Sequence, residues 1–134
     1  MIFVDTGAFL ARYIRRDSFH RRAIRIWAEI ERRHTRCFTS NFVLDETWTL
    51  LGRRASYDFA AGRARALLGS RALTILRPDA VDEAEAVDLF VKFADQRVSF
   101  TDCVSFVLMR RHGIERAFTF DRHFAAAGFE VTAK

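Results

Sequence analysis

Residues 1–13 read MIFVDTGAFLARY. The run Ile2 to Asp5 is a short apolar stretch with a polar stop, the pattern of a buried strand that ends at Asp5. Helical spacing begins at once, from Thr6 to about Arg15. A strand feeding directly into a helix is the opening of an alternating β/α chain, and the rest of the sequence repeats the alternation.

From Ser18 to about His34 the residues Phe19, Ala23, Ile26, Trp27 and Ile30 fall at helical spacing, with Arg21, Arg22, Arg25, Arg32 and Arg33 between them. This predicts an amphipathic helix with a basic outer face. Cys37 to Thr39 reads as a second strand. Ser40 then caps a helix that turns Phe42, Val43, Glu46, Leu50 and Leu51 inward. Ser56 opens a helix to about Leu68, Leu73 to Leu76 forms a third strand, and Asp79 caps a helix ending near Gln96. Ser99-Phe-Thr-Asp102 leads an apolar helix to His112, which Gly113 stops. Ala117 to Phe120 is a fourth strand with Asp121 at its end, followed by a short helix and a last strand near Phe129 to Val131. Short apolar strands alternating with helices predict a parallel sheet covered on both faces, with ligands bound beyond the carboxyl ends of the strands.

Composition narrows the class. The 134 residues carry 22 Lys+Arg against 17 Asp+Glu, half are apolar, 14 are Phe, and Gly and Pro number 6 and 1. One domain spanning 1–134 with a full core is expected, and disordered or collagen-like readings are excluded. Cys37 and Cys103 lack zinc spacing and fit buried thiols in a reducing, cytoplasmic setting. No apolar stretch approaches the length of a membrane span. Twenty of the 22 basic residues are Arg, and residues 1–75 carry +7 against −2 for the remainder. The basic surface of the first half suits phosphate or an acidic partner.

Asp5 and Asp121 each end a buried strand, Glu46 lies near the apolar face of the helix after the second strand, and Asp102 opens the helix before the fourth. Each acid taken singly also reads as a cap or a solvated charge, and Ser99-x-x-Asp102 has the form of a capping box. Together they place four carboxylates at one end of the sheet. Like charges this close oppose one another's ionisation, and a divalent cation resolves the conflict. Oxygen ligands select Mg²⁺ or Mn²⁺, and the corresponding chemistry is phosphodiester hydrolysis by a metal-activated water.

The segments FVDTGAFLARY (3–13), TSNFVLDETWTLL (39–51), SFTDCVSFVLMRR (99–111) and FTFDRHFAAAGF (118–129) occur in an order that resembles PIN-domain ribonucleases of the VapC type, the toxins of bacterial toxin–antitoxin pairs. The resemblance implies a three-layer α/β/α fold with a five-stranded parallel sheet in the order 3-2-1-4-5. It makes Asp5, Glu46 and Asp102 the principal acids and Asp121 the fourth, with Thr6, Ser40 and Thr101 at hydroxyl positions beside them. It also implies Mg²⁺ or Mn²⁺ dependence, an RNA substrate, a homodimer and inhibition by a cognate antitoxin.

Two other readings compete. The string Asp5-Thr6-Gly7-Ala8 resembles the active-site turn of aspartic proteases, but helical periodicity flanks it, whereas those enzymes are nearly all-β. A non-catalytic RNA- or partner-binding domain would keep the basic face, yet four acids without a cation would repel phosphate. His123 lies near the proposed rim, within reach of a substrate, but reads first as a satisfied surface or core histidine, and Trp27 and Trp48 read as core.

Overall fold

The computed structural model describes residues 1–132; the last two residues of the expected 1–134 domain lie outside the described residues. Five parallel strands run β1 (Ile2–Val4), β2 (Cys37–Ser40), β3 (Leu73–Leu76), β4 (Arg116–Phe118) and β5 (Glu130–Val131), in the order β3-β2-β1-β4-β5. The order is the expected one. The helices are α1 (Thr6–Tyr13), α2 (His20–Arg33), α3 (Asn41–Arg54), α4 (Tyr57–Leu68), α5 (Ala80–Lys92), α6 (Phe100–Arg111) and α7 (His123–Ala126).

Ile2, Phe3 and Val4 are all buried, which is why β1 is a continuous apolar run and not an alternating one. In α6 every residue from Asp102 to Met109 is buried, so this helix is covered on all sides. Phe106 anchors it, with ring centroids 5.0 Å from Phe124, 5.7 Å from Phe129 and 6.0 Å from Phe93. Each such pair adds about 1 kcal/mol to the area it buries. Trp27 is buried, Trp48 packs partly buried against the core, and both cysteines are buried and free. No described helix is long and apolar enough to cross a membrane.

Boundaries depart from the sequence reading in four places. α1 stops at Tyr13 instead of Arg15, because Ile14 turns to extended backbone and packs against Leu10 and Leu51. α2 starts at His20 instead of Ser18, because the Asp17 side chain takes the Phe19 N–H at 2.8 Å and holds a turn there. The helix from Asp79 ends at Lys92, and a separate 3₁₀ turn covers Ala94–Gln96. β4 covers Arg116–Phe118, not Ala117 to Phe120, since its neighbour β1 ends at Val4, opposite Phe118, and turns into α1.

The chain builds β1, β2 and β3 to one side and then crosses to β4 and β5 on the other. The switch point therefore lies between β1 and β4, where a crevice opens beyond the strand ends. Asp5 follows β1 at that point and Asp121 lies just past β4. The Asp-Thr-Gly string stands at a strand-to-helix junction of a parallel sheet, which removes the aspartic-protease reading.

Candidate active site

The crevice is a cleft of about 730 Å³. Asp5, Glu46, Asp102 and Asp121 all line it, with Thr6, Ser99 and His123 among them and Arg54, Arg97 and Arg122 at its rim.

Asp5 is held at the β1–α1 junction, where its N–H donates to the Phe118 carbonyl at 3.0 Å and its carbonyl accepts from Ala8 at 3.1 Å. Its side chain does not cap α1. Instead Oδ2 accepts from the Thr119 hydroxyl at 2.8 Å. Burial pushes the Asp5 carboxyl up to about 7, and the charges of Asp102 and Asp121 push the same way against the Thr119 bond and a backbone bond from Thr6.

Asp102 sits in the first turn of α6. Ser99 caps that helix, its Oγ accepting from the Asp102 N–H at 3.1 Å. In α5 the corresponding Asp82 closes a full capping box with Asp79, both bonds being present. Among the described residues the Asp102 carboxylate takes no bond from the Ser99 N–H, so it stays turned to the cleft. Burial raises it to about 7, followed by the charges of Asp121 and Glu46, with Ser99 partly opposing.

Asp121 is oriented from both sides, its N–H donating to Thr119 Oγ1 at 2.9 Å and its Oδ1 accepting from the His123 N–H at 2.8 Å. The His123 ring turns inward, with Nδ1 3.1 Å from Asp121 Oδ1 and 3.5 Å from Asp102 Oδ2. One ligand atom from each of Asp102, Asp121 and His123 falls within 4.8 Å of the others, the spacing of a metal group. Asp5 and Glu46 face the same cleft outside this tight group.

The hydroxyl residues divide. Thr6 is buried in the cleft wall and its Oγ1 has no hydrogen-bond partner among the described residues. Ser40 is buried and spent as the cap of α3, accepting from Val43 at 3.1 Å. Thr101 is absent from the cleft wall, and its carbonyl accepts from the Ser105 hydroxyl at 3.0 Å. Ser99 takes the place nearest Asp102. Sequence reasoning gave no role to Thr119, read Ser99 only as a cap of its helix, which it is, and gave His123 no place among the site residues. The first looked like one more strand residue, and the only available hint for His123 was its position two residues after Asp121.

The donor set suits a divalent cation: crowded carboxylates that resist joint ionisation and, among the described residues, an unpartnered hydroxyl and one imidazole nitrogen, Nδ1 of His123, that is buried beside Asp121 Oδ1 without a well-formed hydrogen bond. The histidine is an addition to the oxygen-only set expected from the sequence.

Residues 2–130 match the PIN domain family. Over 132 residues, 96% of this chain and 95% of the relative, the sequence is 40% identical to the 23S rRNA-specific endonuclease VapC20 of Mycobacterium tuberculosis, in strains CDC 1551 / Oshkosh and ATCC 25618 / H37Rv. The crystal structure of Mycobacterium tuberculosis VapC20, a sarcin-ricin loop cleaving toxin, superposes with a TM-score of 0.88 at 38% identity, covering 96% of each chain. The chain belongs to the PIN domain family.

Proposed function

We propose that this chain is a metal-dependent endoribonuclease and the toxin of a toxin–antitoxin pair, acting on ribosomal RNA in the cytoplasm. The observation that carries the reading is the meeting of Asp5, Asp102 and Asp121 at the sheet's switch point, with two of these carboxyls raised to about 7 by burial and mutual repulsion. A protein that buries such a cluster at a cleft loses stability unless a cation neutralises it.

Asp5, Asp102 and Asp121 are the residues that would hold Mg²⁺ or Mn²⁺, with Glu46 and the Thr6 hydroxyl beside them. Once bound, the ion would supply an acidified water and offset charge on the phosphate. The protein's own part is orientation. Thr119 fixes Asp5 and Asp121 relative to each other, Ser99 fixes the first turn that carries Asp102, and His123 holds the Asp121 carboxylate. Arg54, Arg97 and Arg122 present guanidinium forks along the rim, where they would bind RNA phosphates bidentately. The bare acids would repel that backbone, which disfavours a non-catalytic binding domain.

Ribosomal RNA is the substrate class because the similar proteins bear that specificity in their names. The same kinship supports a cognate antitoxin and a homodimer, and α5 leaves Val87, Phe90 and Val91 exposed for a second copy to cover. The test is to incubate the purified chain with intact ribosomes, with isolated 23S rRNA and with an unrelated messenger RNA, each with Mg²⁺ or EDTA. Metal-dependent cutting of the ribosomal substrates at one position is expected. Cutting of the messenger RNA at equal rate would overturn the substrate class, and cutting in EDTA would overturn the metal.

A further inference from the structure

Phe19 breaks two local rules at once. It occupies the N-cap position of α2, where Ser, Thr, Asp or Asn would offer an acceptor, and its side chain makes no capping bond. It is also 40% exposed, whereas five of the other phenylalanines are fully buried; Phe59 and Phe90 are exposed to a similar degree but lie outside the cleft. Such a conflict between local preference and placement marks a residue held for another purpose.

The ring lies flat on Phe120, with centroids 4.4 Å apart and planes 10° apart. This is a parallel stack, whereas most of the aromatic pairs in the core are tilted or edge-on. Phe120 is itself supported from beneath, edge-on at 6.0 Å from the fully buried Phe118, which contacts Trp27 at 5.2 Å. A column of rings thus rises from the core and ends at an exposed face in the cleft wall that also holds the acids. Asp121 follows Phe120 directly in the chain, so the ring on which Phe19 rests belongs to the neighbour of a site carboxylate.

The segment carrying Phe19 is fixed before any ligand arrives. The Phe19 N–H donates to Asp17 Oδ1 at 2.8 Å, and the His20 ring nitrogen Nδ1 lies 2.6 Å from the Ala11 carbonyl. The guanidinium of Arg22 stands 5.9 Å from the ring centroid. A rigid aromatic ring with a cationic fork reaching over its edge, in the wall of the carboxylate cleft, is the combination that holds an unpaired base and its phosphate.

We propose that Phe19, seated on Phe120, is the platform on which an RNA base next to the scissile phosphate stacks; this rests on the nuclease reading above. An RNA that the wild-type chain cuts is mapped for its cut site, and variants of it are made in which each flanking nucleotide in turn lacks its base. For the wild type, loss of one particular base lowers kcat/KM roughly tenfold. Phe19→Ala cuts the intact RNA roughly tenfold more slowly and is indifferent to loss of that same base. Phe19→Tyr retains both the rate and the sensitivity, while Phe19→Leu, which fills similar space without a π-face, retains neither. Melting curves accompany each variant.

The platform is overturned if Phe19→Ala matches the wild type, if Phe19→Leu performs as well as Phe19→Tyr, or if Phe19→Ala keeps the full penalty for the missing base. A wild-type chain that cuts no RNA with Mg²⁺ or Mn²⁺ overturns the nuclease reading and the platform with it. A wild type that cuts while Phe19→Ala is unaltered overturns the platform alone.

Discussion

The Thr119 hydroxyl donates to Oδ2 of Asp5 across 2.8 Å, tying the residue after β4 to the acid that ends β1. The same oxygen accepts from the Asp121 N–H at 2.9 Å, so one fully buried side chain sets two of the four carboxylates. Its bond favours the charged form of Asp5 against the burial that opposes it.

Thr119→Val keeps the shape and removes the hydroxyl. The Asp121 N–H loses its acceptor and Asp5 loses a donor, at a cost of about 1 to 3 kcal/mol in urea denaturation. The rate of RNA cleavage is expected to fall about tenfold, with the acidic limb of its pH profile displaced upward. Thr119→Ser keeps the donor and should retain the wild-type profile.

The metal-free protein should lose stability as pH rises. Asp5 and Asp102 go from an ordinary 3.8 to about 7 on folding, so between those values the folded chain binds more protons than the unfolded one. Stability is then highest at the acidic side of this window, falls through it, and levels off above about 7. The fall should be read directly as a drop in melting temperature across this window. Mg²⁺ or Mn²⁺ should restore the melting temperature on the alkaline side and do little on the acidic side, where protons already neutralise the cluster. Melting curves across pH, with and without EDTA, check both parts.

His123→Ala removes the ring that lies 3.1 Å from Asp121 Oδ1 but leaves the backbone N–H that bonds it. The concentration of metal needed for half-maximal cleavage should rise about tenfold or more, with a smaller effect at saturating metal. An unchanged metal requirement would remove His123 from the site.

Arg97 lines the cleft from a left-handed backbone position, φ 55°, just before the residues that cap α6. If it grips phosphate, Arg97→Ala weakens RNA binding across sequences and lowers the slope of log affinity against log salt by about 1. Binding titrations at several salt concentrations read that slope.

The sheet was legible because its strands are short apolar runs bounded by polar stops, and Ile2 to Asp5 sets both the first strand and the first acid. Asp102 could be placed at the cleft because an apolar helix begins at it. Thr119 could not, since its role depends on which neighbour accepts its hydrogen bond, and that is decided by tertiary contact across 114 residues; the Ser99 cap was legible from its spacing to Asp102. Ser40 shows the converse, its hydroxyl accepting from the Val43 N–H of its own helix. A hydroxyl beside an acid in sequence is taken by its own helix when the local backbone offers a partner. Phe19 was assigned to a helix face by periodicity, which could not foresee that Asp17 would hold the preceding turn and leave the ring at the cap.

The central claim is that a buried group of carboxylates at the β1–β4 crevice cuts RNA with the help of a divalent cation. The most direct measurement is the cleavage rate of ribosomal RNA by the wild type and by Asp102→Asn, each with Mg²⁺ and with EDTA. Asp102→Asn removes a desolvated, repelled charge, so in EDTA at neutral pH it should melt higher than the wild type, which establishes that it is folded. Cutting by the wild type with metal is expected, with background rates in the other three conditions. Cutting that persists in EDTA, or in Asp102→Asn at the wild-type rate, would contradict the central claim.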